Sequence, residues 1–225
     1  MTANALAAQR PATEQPVVAV LDYGIGNLRS AQKALQRVGA DARLTADHEV
    51  IERADAVVLP GVGAFGACVD ALRSSGLWDV ARAAALDDRP FLGICIGMQL
   101  LFEGSDESPG VEGLGALAGQ VRRLTGDVKL PQMQWNQCTP RRATERSLLV
   151  GEPWMYFVHS YAAECDERFV SATCDYGGPV VAMVEHDRLW ATQFHPEKSG
   201  TEGLDLLRRF VDLASVSDVV DRMDQ

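Results

Sequence analysis

The stretch Phe91-Leu92-Gly93-Ile94-Cys95-Ile96-Gly97-Met98-Gln99 decides the fold, because it predicts an apolar strand that turns abruptly into a helix around one cysteine. This pattern is typical of a nucleophile elbow, in which the apex residue is strained and its side chain is exposed at the carboxyl end of the strand. So tight a turn leaves room only for glycine on either side, where Gly93 and Gly97 stand. The predicted helix, Ile96–Glu103, begins at the thiol and favours the thiolate, the form that attacks carbonyl carbons. We therefore interpret Cys95 as a nucleophile, although a free cysteine is more often a buried structural residue.

A second candidate site is the stretch Gln193-Phe194-His195-Pro196-Glu197-Lys198. A catalytic cysteine needs a base that takes its proton and a third group that orients the base. Pro196 favours an extended conformation at His195, and the side chains at 195 and 197 of an extended segment project from the same side. Glu197 can then accept a hydrogen bond from the far nitrogen of the ring. The sequence thus predicts a triad of Cys95, His195 and Glu197, although an isolated His-Pro-Glu is more often a surface turn.

A third element is Val57-Val58-Leu59-Pro60-Gly61-Val62-Gly63, an apolar strand that ends in a glycine-rich turn. Glycine lets the backbone approach a ligand closely, and free N–H groups at a strand end can hold the oxyanion of a tetrahedral intermediate. The backbone donors predicted for that role are those of Gly61, Val62, Gly63 and Ile96.

Residues 61–66 also match the dinucleotide-binding pattern G-x-G-x-x-G, which would suit an oxidoreductase. That pattern normally follows the first strand of its unit, with an acidic residue about 20 positions later. Here it follows roughly the third strand and meets Arg82-Ala83-Ala84-Ala85 near that distance. Nucleotide binding is therefore disfavoured.

Alternating strands and helices in the first half of the chain predict a parallel sheet. The predicted strands lie at 17–21, 42–45, 56–59 and 91–94, and the predicted helices at 28–38, 65–72 and 77–86. After about residue 120, short β-type runs follow at 155–160, 169–174, 180–185 and 189–194, before a closing helix over 202–213. We expect this second half to bring His195 back over Cys95 at the carboxyl edge of the sheet, where open α/β folds bind ligands.

Composition limits the partners and the compartment. The 225 residues carry a net charge of −10, which disfavours nucleic acid and acidic membrane surfaces as partners. Five cysteines without a C-x-x-C pair, and only four histidines, predict a cytoplasmic protein with neither a disulfide framework nor a metal site. Residues 1–16 lack the apolar segment of a signal peptide, and we expect them to form a disordered tail. The domain is predicted over 17–214, with a second tail over 215–225.

Three motifs in this order, Gly-x-Cys-x-Gly-Met-Gln, Pro-Gly-Val-Gly and Phe-His-Pro-Glu-Lys, resemble those of class I glutamine amidotransferases. The resemblance runs from about Val17 to Leu213 and implies an α/β, flavodoxin-like fold with a mixed, mostly parallel sheet and helices on both faces. Four stretches are similar to the glutaminase subunits of imidazole glycerol phosphate synthase: Asp22–Ser30, Gly97–Glu103, Tyr156–Tyr161 and Phe194–Ser199.

This resemblance implies that Cys95 hydrolyses glutamine to glutamate and ammonia through a thioester, without a cofactor. It also implies a heterodimer in which a (β/α)₈ cyclase subunit uses the ammonia to make imidazole glycerol phosphate and aminoimidazole carboxamide ribotide. The implied glutamine contacts are Gln99, Glu103, His159, Ser160, Tyr161 and Gly63. The implied interface residues are Asn27, Trp135 and Lys198.

One segment departs from the family pattern. Where the family usually has His-Met-Gly-Trp-Asn, this sequence has Gln132-Met133-Gln134-Trp135-Asn136, and glutamine cannot adopt a positive φ as easily as glycine. Other interpretations stay open: a free-standing cysteine amidohydrolase, another class I amidotransferase subunit, or a non-catalytic module kept for its interface.

Overall fold

The computed structural model describes residues 15–220, with side chains as far as residue 215. The tail predicted over 1–16 therefore lies almost entirely outside the described residues. Within the described part, no helix is both long and apolar enough to cross a membrane.

A central sheet of eight strands organises the chain. Its members are β1 (Val17–Leu21), β2 (Asp41–Thr45), β3 (Ala56–Gly61), β4 (Phe91–Cys95), β7 (Thr139–Pro140), β10 (Val170–Asp175), β11 (Pro179–His186) and β12 (Leu189–Thr192). Their spatial order is β2–β1–β3–β4–β12–β11–β10–β7. The first five in this order are parallel to one another, and antiparallel pairs complete the sheet. The predicted α/β class with a mixed, mostly parallel sheet is confirmed.

Helices pack around this sheet in two groups. They are α1 (Leu28–Arg37), α2 (His48–Glu52), α3 (Phe65–Ser74), α4 (Trp78–Leu86), α5 (Ile96–Gln99) and α6 (Gly200–Val220), with a 3₁₀ turn at Pro196–Lys198. Helices α1 and α6 contact each other, whereas α4 contacts both α2 and α3. Every residue of β1, β3 and β4 is buried, as unbroken apolar runs covered on both faces require.

Two smaller antiparallel sheets follow the elbow. One pairs β5 (Gly119–Arg123) with β9 (Tyr161–Cys165), and the other pairs β6 (Gln132–Gln137) with β8 (Trp154–His159). Strands β5, β6, β7 and β9, and the short helix α2, were not predicted. Polar residues dominate β5 and β6, so an apolar run could not reveal them.

Two helix boundaries differ from the prediction. The helix expected over Ile96–Glu103 ends at Gln99, because N–H groups of residues 113–117 take the carbonyls of residues 100–103. Those carbonyls are the acceptors that a continuing helix would need. The closing helix runs from Gly200 to Val220, so residues 215–220 are helical although a tail was predicted there.

The departure at Gln132 and Gln134 is accommodated by ordinary strand geometry. Both residues lie in β6, where Gln132 pairs with His159 and Gln134 with Phe157, and neither has a positive φ. Gln132 is fully buried, and its amide donates a hydrogen bond to Cys174 Sγ over 3.7 Å. The strand therefore does not need glycine at position 134.

Backbone contact fixes the elbow against the neighbouring strand. A Cβ atom added to Gly97 would lie 1.8 Å from the carbonyl oxygen of Leu59 in β3, and one added to Gly93 would lie 2.9 Å from the carbonyl oxygen of Gly97. No side-chain rotation relieves a contact with backbone. Both glycines of the predicted elbow are thus required by packing.

We expect Gly97→Ala to destabilise the fold by about 3 kcal/mol or more, because the methyl group must displace the backbone of a central strand. Urea denaturation followed by circular dichroism measures this. Gly66→Ala is the matched control, since the added Cβ would meet the Ser108 side chain, whose oxygen lies 2.8 Å away and can move. Equal stability of the two variants would contradict this account of the elbow.

Candidate active site

Cys95 occupies the apex of the elbow in a strained conformation. Its φ is 57° and its ψ is −109°, a region that residues with side chains rarely adopt. It ends β4 between the carboxyl ends of β3 and β12, because Gly61 stands opposite it on one side and Thr192 pairs with Ile94 on the other. The side chain is only 4% exposed. The elbow predicted from the sequence is therefore present.

The predicted histidine and glutamate lie together behind this cysteine. His195 Nδ1–H donates a 2.8 Å hydrogen bond to Glu197 Oε1, and the two side chains are 1% and 3% exposed. His195 is extended, as predicted, but Pro196–Lys198 forms a 3₁₀ turn, so the contact forms across a turn and not along a strand. The His195 N–H donates to Tyr156 O over 3.0 Å, and the Ser199 hydroxyl donates to His195 O over 2.6 Å. These bonds hold the ring in place.

The surroundings of His195 favour its charged form. Burial lowers its pKa, but the neighbouring Cys95 and Glu197 side chains outweigh burial and raise the pKa from 6.5 to about 9. The Nε2 atom has no hydrogen-bond partner among the described residues, and His195 lines the same cavity as Cys95. An imidazolium beside a thiolate can protonate a leaving group at neutral pH.

His159, a second histidine of this cavity, has the opposite character. Burial lowers its pKa to about 4, and the nearby His195 lowers it further, while a bond to Tyr161 O acts in the other direction. Its Nδ1–H donates to Tyr161 O over 2.8 Å, so the neutral ring leaves Nε2 as an acceptor. His159 is thus a neutral polar group of the site.

A chain of buried amides reaches the sulfur from the other side. Gln193 Nε2 donates to Cys95 Sγ over 3.8 Å, and Gln99 Nε2 donates to Gln193 Oε1 over 3.1 Å and to Tyr161 O over 3.0 Å. No role for Gln193 was predicted. Its position two residues before His195, on the same side of an extended segment, was the signal that could have found it.

The cavity at the elbow has a volume of about 470 Å³, within the range of small-molecule sites. Predicted site residues that line it are Asn27, Val62, Gly63, Cys95, Ile96, Gln99, His159, Ser160, Tyr161, His195 and Lys198. Three further residues of the lining were not predicted: Glu107, Pro131 and Val158.

Four predicted residues lie outside that lining. Glu197 is buried behind it, where it accepts the hydrogen bond from His195. Gly61 is buried beneath it, Trp135 lies on the exposed face of β6, and Glu103 is exposed and accepts a 3.0 Å hydrogen bond from Gly119 N–H. The resemblance implied that Glu103 contacts glutamine from the elbow helix, which in the structure ends at Gln99. The carboxylate that lines the cavity is that of Glu107, whose Oε2 accepts from Phe65 N–H over 2.7 Å.

Among the described residues, no group of three or more His, Cys, Asp or Glu side chains could hold a metal ion. What the cavity does assemble is a strained cysteine, a charged histidine held by a buried carboxylate, and free backbone donors. This set suits acyl transfer through a covalent thioester. On an α/β sheet of this topology, the arrangement defines a cysteine-dependent amidotransferase of the triad type.

Comparison with known proteins supports the same class. The family model for class I glutamine amidotransferases matches residues 19–213, so the chain belongs to that family. It is 48% identical over 199 residues to imidazole glycerol phosphate synthase subunit HisH of Methanothermobacter thermautotrophicus, covering 88% of this chain and 98% of that protein. The subunit of the same name from Synechococcus elongatus is 46% identical over 202 residues, covering 87% and 93%. A solved glutamine amidotransferase structure shares the fold with a TM-score of 0.70 at 24% identity, covering 88% and 98%.

The two cavity histidines should titrate in opposite directions. We expect His195 to stay protonated until the pH approaches about 9 and His159 to stay neutral until the pH falls to about 4. Nuclear magnetic resonance of protein with isotope-labelled histidine resolves this, since the chain has only four histidines.

Glu197→Gln should lower the pKa of His195, because an amide stabilises the imidazolium less than a carboxylate does. The pKa of His159 should change little in the same variant. A wild-type His195 that titrates near the ordinary value of about 6.5 would contradict the charged state assigned here.

Proposed function

We propose that this chain is the glutaminase subunit of an imidazole glycerol phosphate synthase. The observation that carries the proposal is the buried His195–Glu197 pair in one cavity with the strained Cys95. The relatives that match along nearly their whole length support the choice of synthase. Five free cysteines suit a reducing, cytoplasmic location.

In the proposed reaction, the Cys95 thiolate attacks the side-chain carbonyl carbon of glutamine. Backbone N–H groups of Ile96 and the Val62–Gly63 turn hold the resulting oxyanion. The His195 imidazolium gives its Nε2 proton to the amide nitrogen, the C–N bond breaks, and ammonia leaves a γ-glutamyl thioester. Neutral His195 then takes a proton from the attacking water, and the thiolate leaves as glutamate forms.

Polar groups of the lining orient the rest of the glutamine. Glu107 supplies a carboxylate for the α-ammonium group, and its other contact, to Phe65 N–H, fixes its position. Gln99 is fixed by two bonds through Nε2, while its Oε1 is buried without a partner among the described residues. That oxygen is a ready acceptor for a donor of the substrate.

The partner surface lies beside the mouth of this cavity. The register of β6 and β8 places Met133, Trp135 and Trp154 on one face, and their exposed fractions are 62%, 48% and 54%. So much exposed apolar surface on a two-stranded sheet indicates a protein interface. Asn27 and Lys198 line the cavity itself, and the Lys198 ammonium lies 6.0 Å from the Tyr156 ring centre on the same sheet. We assign this face to the (β/α)₈ cyclase subunit.

Glutamate release from glutamine tests the function. The purified chain should have weak activity alone and much higher activity with the cyclase subunit and its ribotide ligand, and Cys95→Ser should have none. Full activity that ignores the cyclase would instead indicate a free-standing amidohydrolase. Activity that persists in Cys95→Ser would exclude the thioester mechanism.

Two glutamates test the substrate contacts. Glu107→Gln should raise the KM for glutamine by about 10-fold or more, because a charge-assisted hydrogen bond is worth about 1.5–3 kcal/mol. Glu103→Gln is the matched control and should change KM by less than about 2-fold, since Glu103 bonds the Gly119 N–H outside the lining. Steady-state kinetics of the complex measures both. A larger effect at Glu103 than at Glu107 would support the contact that the resemblance implied and contradict the role assigned to Glu107.

A further inference from the structure

Two buried donors lie beneath the glycine-rich turn that borders Cys95. Tyr23, from the loop after β1, donates its hydroxyl proton to Pro60 O over 2.7 Å. Cys68, from helix α3, donates its thiol proton to Val62 O over 3.3 Å. Their side chains are 4% and 0% exposed. The two acceptors flank Gly61, so both ends of the turn are held from below.

Both groups remain donors at neutral pH. Burial raises the pKa of the Tyr23 hydroxyl well above its usual range, and the nearby Cys68 raises it further. Burial likewise raises the pKa of the Cys68 thiol to about 11. A protonated oxygen and a protonated sulfur can each give a hydrogen bond to a carbonyl, whereas their anions could only repel it.

The parts that carry these donors are themselves fixed. Helix α3 is anchored at its first turn, where Phe65 N–H donates to Glu107 Oε2 over 2.7 Å and Gly66 N–H donates to Ser108 Oγ over 3.0 Å. The Tyr23 oxygen lies 2.7 Å from where a Cβ of Gly61 would be. The turn is thus packed on Tyr23 with no space for another atom.

The direction of the Val62 carbonyl determines the direction of the next N–H. In a trans peptide the C=O and the N–H point to opposite sides, and the Val62–Gly63 bond is trans. Val62 O faces Cys68, which is fully buried and outside the cavity lining, whereas Gly63 lines the cavity. Within residues 15–220 the Gly63 N–H has no hydrogen-bond acceptor. It therefore points to the cavity side and is free to bind an oxyanion.

We propose that Tyr23 and Cys68 are positioning residues, which fix the carbonyls of Pro60 and Val62 and thereby hold the Gly63 N–H towards the oxyanion that forms at Cys95. This deepens the proposed function and rests on it. It also gives a role to Tyr23 in the Asp22–Ser30 stretch, of which the proposed function used only Asn27, as a cavity-lining residue of the partner surface.

Kinetics of the complex test the proposal through kcat and KM separately. Cys68→Ala and Tyr23→Phe should each lower kcat by about 3- to 10-fold, the worth of a single net hydrogen bond. The loss is smaller than the 10²–10³ that follows removal of an oxyanion donor, because the N–H itself remains. KM should change by less than about 2-fold, since the ground state of bound glutamine makes no use of the oxyanion site.

Three controls separate positioning from general damage. Cys68→Ser keeps a donor and should recover most of the lost kcat. Cys138→Ala removes a buried thiol next to β7, at the far edge of the sheet, and should leave kcat unchanged. Alkylation of Cys95 by iodoacetamide forms no oxyanion, so its rate should be the same in wild type, Cys68→Ala and Tyr23→Phe.

Several results would overturn the proposal. Wild-type kcat in both Cys68→Ala and Tyr23→Phe would overturn the positioning role and leave the proposed function standing. A Cys68→Ser variant as slow as Cys68→Ala, or a loss of kcat in Cys138→Ala, would assign the effect to packing and also overturn it. A wild-type complex that releases no glutamate would overturn the proposed function, and the inference with it.

Discussion

The contact between the Gly97 backbone and the Leu59 carbonyl is the constraint on which the rest of the structure depends. A Cβ at position 97 would lie 1.8 Å from that oxygen, so the helix after the elbow can begin only where a glycine lets it rest on β3. This approach forces Cys95 to a φ of 57° and sets it beside the Pro60–Gly63 turn. Because β12 pairs with β4 on the other side, the segment after β12 brings His195 to the same edge.

Electrostatic surroundings give the two histidines of one cavity opposite pKa shifts. His195 and His159 both line it, yet the first has its pKa raised by the Cys95 and Glu197 side chains and the second has its pKa lowered by burial. The difference lies in the neighbours of each ring: His195 has Cys95 nearby and a carboxylate at Nδ1, whereas His159 has only a backbone carbonyl at Nδ1. A carboxylate stabilises an imidazolium more than a neutral carbonyl does. One histidine can therefore transfer protons, while the other remains a neutral polar group.

The sequence predicted the elements that neighbouring residues determine. It missed those that depend on contacts between distant segments of the chain. The elbow follows from Gly93 and Gly97 and the triad from a proline beside a histidine, so both were visible. The helix end at Gln99 was missed because segment 113–117 takes the carbonyls of residues 100–103. Nothing near residue 100 in the sequence indicates that these carbonyls pair with a later segment. Neither the helix end nor the position of Glu107 in the cavity lining could therefore be predicted. Strand β6 was not predicted for a related reason, because its polar sequence becomes a strand only through pairing with β8.

The central claim is that a glutamyl group is carried on Cys95, and trapping that intermediate tests it most directly. Radiolabelled glutamine would be mixed with the complex, the reaction stopped with acid within one turnover, and the protein digested for peptide mapping. The account predicts label on the single peptide that contains Cys95, and none when that cysteine is alkylated beforehand. Label on another residue, or glutamate release with no protein-bound label, would contradict it.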